Sequence, residues 1–386
     1  MSGLFYLIIS IFLFSCDDSP TEPPEVALTT KLYACDQLTD KVRIYDASTD
    51  NLSEIDSISI DFNDDGAFGD TPHFVVVDNL NGYWFVTTMD AGIVGMYSVE
   101  DDTLLSKIFV DDRPALMVVD PVDQRLYVSR MMSMGITSGG EFPVLNVLDY
   151  SSGDLQLSNH IELAGEDLGD DGGIFDFPEP HAISISEDGT YLYTASITTD
   201  WISQINLIPD PPQSYPFPFV EGAPKPTYND GVLDPISSTQ KGGNVFFSCS
   251  GGDVVQSWNA MLRSYQSTYD FSTISMSRPW HIIASPTSDH IFIALSGNGT
   301  GEGAGVASLS FNDTGLLTLE WSKDTEDANF ESLHGITVSS DGSRVYVSSR
   351  GNGSLFTLDA LTGDVLDELT SNTQLYGIAT AQVEAE

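Results

Sequence analysis

Short β-branched and aromatic runs recur along the chain in pairs, each pair joined by a polar turn, and no stretch carries helical periodicity. The runs beginning at His73 (HFVVVD), His181 (HAISIS), His281 (HIIASP) and His334 (HGITVS) are each followed by a turn: Asn81-Gly82, Asp188-Gly189, Ser288-Asp289 and Asp341-Gly342. A second run then follows, as at Tyr191 (YLYTA) or Arg344 (RVYVSS), so each unit reads as a hairpin. Ala115, Pro235 and Tyr376 open runs in the same frame, and the seven positions recur about every 50 residues. Third and fourth strands are clearest at Ser354 (SLFTLD) and Asp364 (DVLDEL). Four antiparallel strands per repeat, seven times over, predict an all-β, seven-bladed β-propeller. The folded chain opens at Lys31 with a second-strand sequence and closes at Tyr376 with a first strand that lacks a blade. Pairing the two completes blade one and leaves the ring without a free edge.

The ends read differently. Residues 1–15 contain an apolar run too short for a membrane span and are read as an export signal peptide. Cys16, after Leu13-Phe14-Ser15, resembles the lipidated first residue of a bacterial lipoprotein. Residues 16–30 are rich in Pro and acid and suit a lipid-anchored tether to a propeller over residues 31–386. The expected location is the cell envelope, membrane-anchored, with the outer membrane or cell surface favoured. If Cys16 is acylated, only Cys35 and Cys249 remain, too few for a disulfide-held fold. Fourteen Lys and Arg against 57 Asp and Glu give a net charge of −43, which argues against nucleic acid as a partner.

Leu126-Tyr-Val-Ser and Tyr346-Val-Ser-Ser followed by LFTLDALTG resemble the YVTN-type seven-bladed propellers, over roughly residues 31 to 382. That resemblance implies an exported propeller and no single activity, because related propellers include redox enzymes, lactonases and binding scaffolds. More distantly, nitrous oxide reductase and the selenium-binding or methanethiol oxidase proteins are propellers described as holding metal with histidines at one end of the channel.

Four of the six histidines, His73, His181, His281 and His334, fall at the start of an innermost strand, which predicts a ring of imidazoles at one channel mouth. Imidazole is the commonest transition-metal ligand, so the cluster is expected to hold a metal, with copper favoured and zinc or iron as alternatives. Structural and substrate-binding roles for these rings are the competing readings. Tyr376, Trp280, Met131 and Met134 are placed at the periphery of the same site, where thioethers favour copper or simply plug the mouth.

Two acidic loops precede histidine-bearing strands. Asp61, Asn63, Asp65 and Asp70 space oxygens around a Gly turn like the opening of a calcium loop, and Asp167, Asp171 and Asp176 repeat the pattern before His181. Calcium is therefore a candidate second ion, against the plain reading of solvated acidic turns. A metal-dependent envelope protein is the leading expectation; a non-catalytic surface binding or adhesion propeller and a lactonase-type hydrolase are the alternatives. Whether the protein is an enzyme is open at this level.

Overall fold

A computed structural model describes residues 28–62, 69–110, 113–131, 144–163, 179–219 and 231–384. Among these residues the chain forms twenty-eight strands in seven four-stranded antiparallel sheets, the blades of a propeller. Blade one is assembled from both ends of the fold, in the order β28 (Leu375–Glu384), β1 (Leu28–Asp36), β2 (Lys41–Asp46), β3 (Ser53–Ser59). The ring closes as the hairpin pattern predicts, although β1 begins at Leu28, three residues before the expected start, because Leu28, Thr29 and Thr30 pair with Glu384, Val383 and Gln382.

The core lies between blades. Seven apolar clusters fill the seven gaps; one joins Tyr33, Val42 and Ile44 to Trp84, Val86 and Tyr97, and another closes blade seven on blade one through Tyr346, Leu355, Leu32 and Ala34. Aromatic side chains carry much of this area, and their polar tips find partners across the gap. Tyr33 Oη and Trp84 Nε1 both donate to Asp102, 2.8 and 3.1 Å away, and Tyr346 Oη donates to the Ala47 carbonyl at 3.1 Å.

The innermost strands of blades two to seven are β4 (Pro72–Asp78), β8 (Pro114–Asp120), β12 (Pro180–Ile185), β16 (Pro235–Lys241), β20 (Pro279–Ala284) and β24 (Leu333–Val338). All six, and β28, carry a β-bulge within their first residues. The residue before each of the six has left-handed φ: Thr71, Arg113, Glu179, Asp234, Arg278 and Ser332. Its carbonyl then accepts from the amide that follows the second strand, as in Met89 to Thr71 at 3.0 Å and Arg350 to Ser332 at 3.2 Å. Five of these strands open with Pro, which is tolerated there because the first residue of an inner edge strand needs no N–H in the ladder. A bulge re-aims the side chain it carries, and here it brings His73, His334, Tyr376 and Trp280 into ring contact with one another.

The register differs from the expected one in two blades. The bulge positions are His73, Ala115, His181, Ile236, Trp280, His334 and Tyr376. Ile236 therefore replaces Pro235, and Trp280 occupies the place assigned to His281, which lies one residue deeper, level with Phe74. Cys35 and Cys249 stand one step apart in register at the ends of their strands, and both are buried free thiols.

Candidate functional site

The four histidines converge. His73, His181, His281 and His334 are all buried at one end of the channel. His334 is central, with its ring centroid 5.5 Å from His73, 4.6 Å from His281, 4.7 Å from Tyr376 and 5.7 Å from Trp280. His281 meets Phe74 edge to face at 5.4 Å and helps line a cavity of about 340 Å³ along the axis, with Leu116, Ile183 and Ile336 among its walls. His160 lies in the outer strand β11 (Gln156–Glu162), and His290 opens β21 (His290–Ser296) at the opposite face.

Burial and mutual repulsion keep these imidazoles neutral. Desolvation pushes His73 down to about 3, with further contributions from His181 and from the Arg350 guanidinium. His181 is lowered by burial, partly offset by its carbonyl partner. Burial, then the neighbouring histidines, hold His281 and His334 well below the usual imidazole range, and Arg350 adds to the effect on His334. Neutral imidazole is the form that binds a metal or accepts a proton.

Two of the rings are oriented by their Nδ1 atoms. In blades two and seven a hydroxyl at the end of strand two serves the next blade's bulge carbonyl: Thr87 donates to Ala115 at 2.9 Å and Ser348 donates to Tyr376. Blade four has Ala195 at this place, and His181 Nδ1 takes over, donating to the Ile236 carbonyl at 2.6 Å. That bond fixes the proton on Nδ1 and leaves Nε2 a lone pair. For His73, the Gln37 side-chain amide donates to Nδ1 at 3.0 Å. Among the described residues, three ring nitrogens, His73 Nε2, His281 Nε2 and His334 Nδ1, are buried without a hydrogen-bond partner. Each such atom costs about 1–3 kcal/mol unless something binds it.

The rim above the cluster comes from positions just after strand two or just before strand one. Gln37, Met89, Met131 and Arg350 are all of the first kind, and each is half-buried. Arg278 is of the second kind. Its guanidinium lies over Trp280 at 5.6 Å, and that of Arg350 over the same indole at 5.8 Å. Sequence reasoning missed Gln37, Phe74, Arg278 and Arg350.

The donor set suits a borderline or soft transition metal, and the Nδ1–H contact of His181 is of the kind that orients a metal-bound imidazole, whereas His73 accepts at Nδ1, carries its proton on Nε2 and would have to change tautomer to ligate through that atom. The rings pack edge to face, however, and among the described residues no group of three or more His, Cys, Asp or Glu is arranged to hold an ion. Bringing three nitrogens to one point takes rotation of the rings. Of the calcium candidates, Asp70 is buried and accepts from the Phe62 amide, while Asp61 is exposed. Asn63, Asp65, Asp167, Asp171 and Asp176 lie outside the described residues, as do Met134 and Cys16.

No protein-family model matches the chain, and no curated protein is detectably similar in sequence. Solved structures share its fold. The periplasmic gluconolactonase PpgL of Pseudomonas aeruginosa superposes with a TM-score of 0.66 at 14% identity, covering 92% of this chain and 99% of that one. A candidate 6-phosphogluconolactonase of Bacteroides fragilis gives 0.65 at 15% identity, over 91% and 98%. Apo AztD of Citrobacter koseri gives 0.57 at 13% identity, over 92% and 98%. Identities this low establish a common architecture and nothing about chemistry.

Proposed function

We propose that the channel mouth is a transition-metal site held by His73, His181, His281 and His334, in an exported propeller tethered to the cell envelope through Cys16. One observation carries the reading: the buried rings of His73 and His281 both pack against His334, with His181 buried at the same end of the channel, and among the described residues three of these nitrogens lack a partner. Copper is favoured over zinc or iron because Met89 and Met131 stand on the rim as soft donors. When bound, such an ion supplies either one-electron redox chemistry or a Lewis acid. The protein's part is to orient His181 through Ile236 and His73 through Gln37, and to exclude water with Trp280, Phe74 and Tyr376. The first described residue, Leu28, lies at the far end of β1 from this mouth.

The test is metal uptake by protein purified without a histidine tag, stripped with chelator and reloaded. About one equivalent of Cu(I) or Zn(II) is expected for the wild type and for His160→Ala, and none for the His281→Ala, His334→Ala double variant. Equal uptake by the wild type and the double variant contradicts the assignment.

A second reading is favoured by Arg350, whose charge reaches His73 and His334. A guanidinium beside a neutral imidazole can stabilise a carbonyl oxygen while the imidazole takes a proton from attacking water, the arrangement needed to open a lactone to its hydroxy acid. Lactone hydrolysis by metal-free protein, lost in Arg350→Gln, would place the function there.

A further inference from the structure

Positive charge is scarce in this chain, and three of its eight arginines are matched with acid among the described residues. Arg43 meets Asp36 at 2.7 Å, Arg344 meets Asp50 at 2.7 Å, and Arg113 meets Asp90 at 3.4 Å. Arg278 and Arg350 have no ion pair among the described residues, although the protein carries 57 acidic residues. Asp234 is close enough to feel Arg278 without forming a pair with it. Both guanidiniums lie over one indole, Trp280, which in turn touches His334. Among the described residues the mouth thus presents two guanidiniums without an ion pair, beside Asp234 and Asp253, with an aromatic face, a half-buried Arg350 and ring nitrogens without a described partner beneath it.

We infer that Arg350, Arg278 and Trp280 form a binding subsite for the carboxylate of a small hydroxy acid, whose hydroxyl oxygens reach the unpartnered nitrogens of His73 and His334. A guanidinium takes a carboxylate through two parallel N–H donors, and stacking on the indole holds that fork in plane. The neutral floor explains the second half of the ligand. A simple inorganic anion satisfies the arginines but leaves the imidazoles unmatched, whereas a neutral sugar satisfies the imidazoles and leaves the arginines unmatched. A hydroxy acid answers both. The inference rests on the mouth being a ligand site, and its test requires no metal.

Isothermal titration calorimetry in the presence of chelator reads it directly, with gluconate and malate as probes and with glucose, inorganic phosphate and sulfate beside them. At least one hydroxy acid is expected to bind with a dissociation constant below about 10 mM. Arg350→Gln should weaken that binding by about tenfold or more. Arg263→Gln removes a guanidinium stacked on Tyr215 in another part of the molecule and should leave it unchanged. Absence of hydroxy-acid binding, equal affinity for phosphate or glucose, or indifference to Arg350→Gln would each overturn the subsite. Failure here leaves metal uptake as measured above untouched, and Arg350→Gln should not lower that uptake, because it removes a positive charge from beside the cation.

Discussion

Between pH 7 and pH 5, in chelator, the protein should lose several kcal/mol of folding stability, and His334→Gln should flatten that loss. The sign follows from linkage. Each of the four buried histidines has a folded-state pKa below 6.5, so the unfolded chain takes up protons that the folded chain refuses. Stability is therefore fully present above about pH 6.5 and falls as the pH drops towards the folded values. A ring whose folded pKa lies below that window contributes a slope of up to about 1.4 kcal/mol per pH unit. Denaturant midpoints at pH 7, 6 and 5 measure it, and the slope stays informative even where a substitution lowers stability at every pH. A flat profile in the wild type, or the same slope in His334→Gln, would show that these rings do not stay neutral in the fold.

Removal of residues 375–384 should abolish cooperative unfolding altogether. This segment is the innermost strand of blade one, paired with β1 along its whole length and packed between β4 and β24. It buries Leu375, Ile378 and Ala381 and contributes Tyr376 to the histidine cluster. Without it β1 becomes an exposed edge, and Leu32 and Ala34 lose their cover. The lost burial and ladder bonds are comparable with the whole stability of an ordinary domain, about 5–15 kcal/mol. Thermal melts followed by near-UV circular dichroism read the outcome; a sharp transition in the truncated chain would mean that ring closure is dispensable.

Much of this architecture is legible from spacing alone, because hairpin turns and β-branched runs impose a period that survives without any recognisable relative. The convergence of the histidines is legible for the same reason: equal register in separate blades means nearness at the axis. The one-residue error at His281 shows where such reasoning ends. A bulge inserts a residue without changing the hydrophobic alternation beside it, so Trp280 and His281 are indistinguishable until hydrogen bonds are seen. Arg350 and Gln37 were not legible because their role depends on a backbone bond from the end of strand two to a left-handed residue or loop carbonyl before strand one. Nothing in the local sequence marks that bond. Recognition of His181 as an Nδ1 donor likewise required knowing that its blade has Ala195 where others carry a hydroxyl.

Imidazole ¹⁵N spectra of chelator-treated protein across pH 7 to 5 test the centre of the account most directly. His73, His281 and His334 should remain neutral throughout, with His181 in the Nδ1–H tautomer at pH 7. Protonation of these rings near pH 6.5, or the opposite tautomer at His181, would contradict a buried, ligand-ready cluster at the channel mouth.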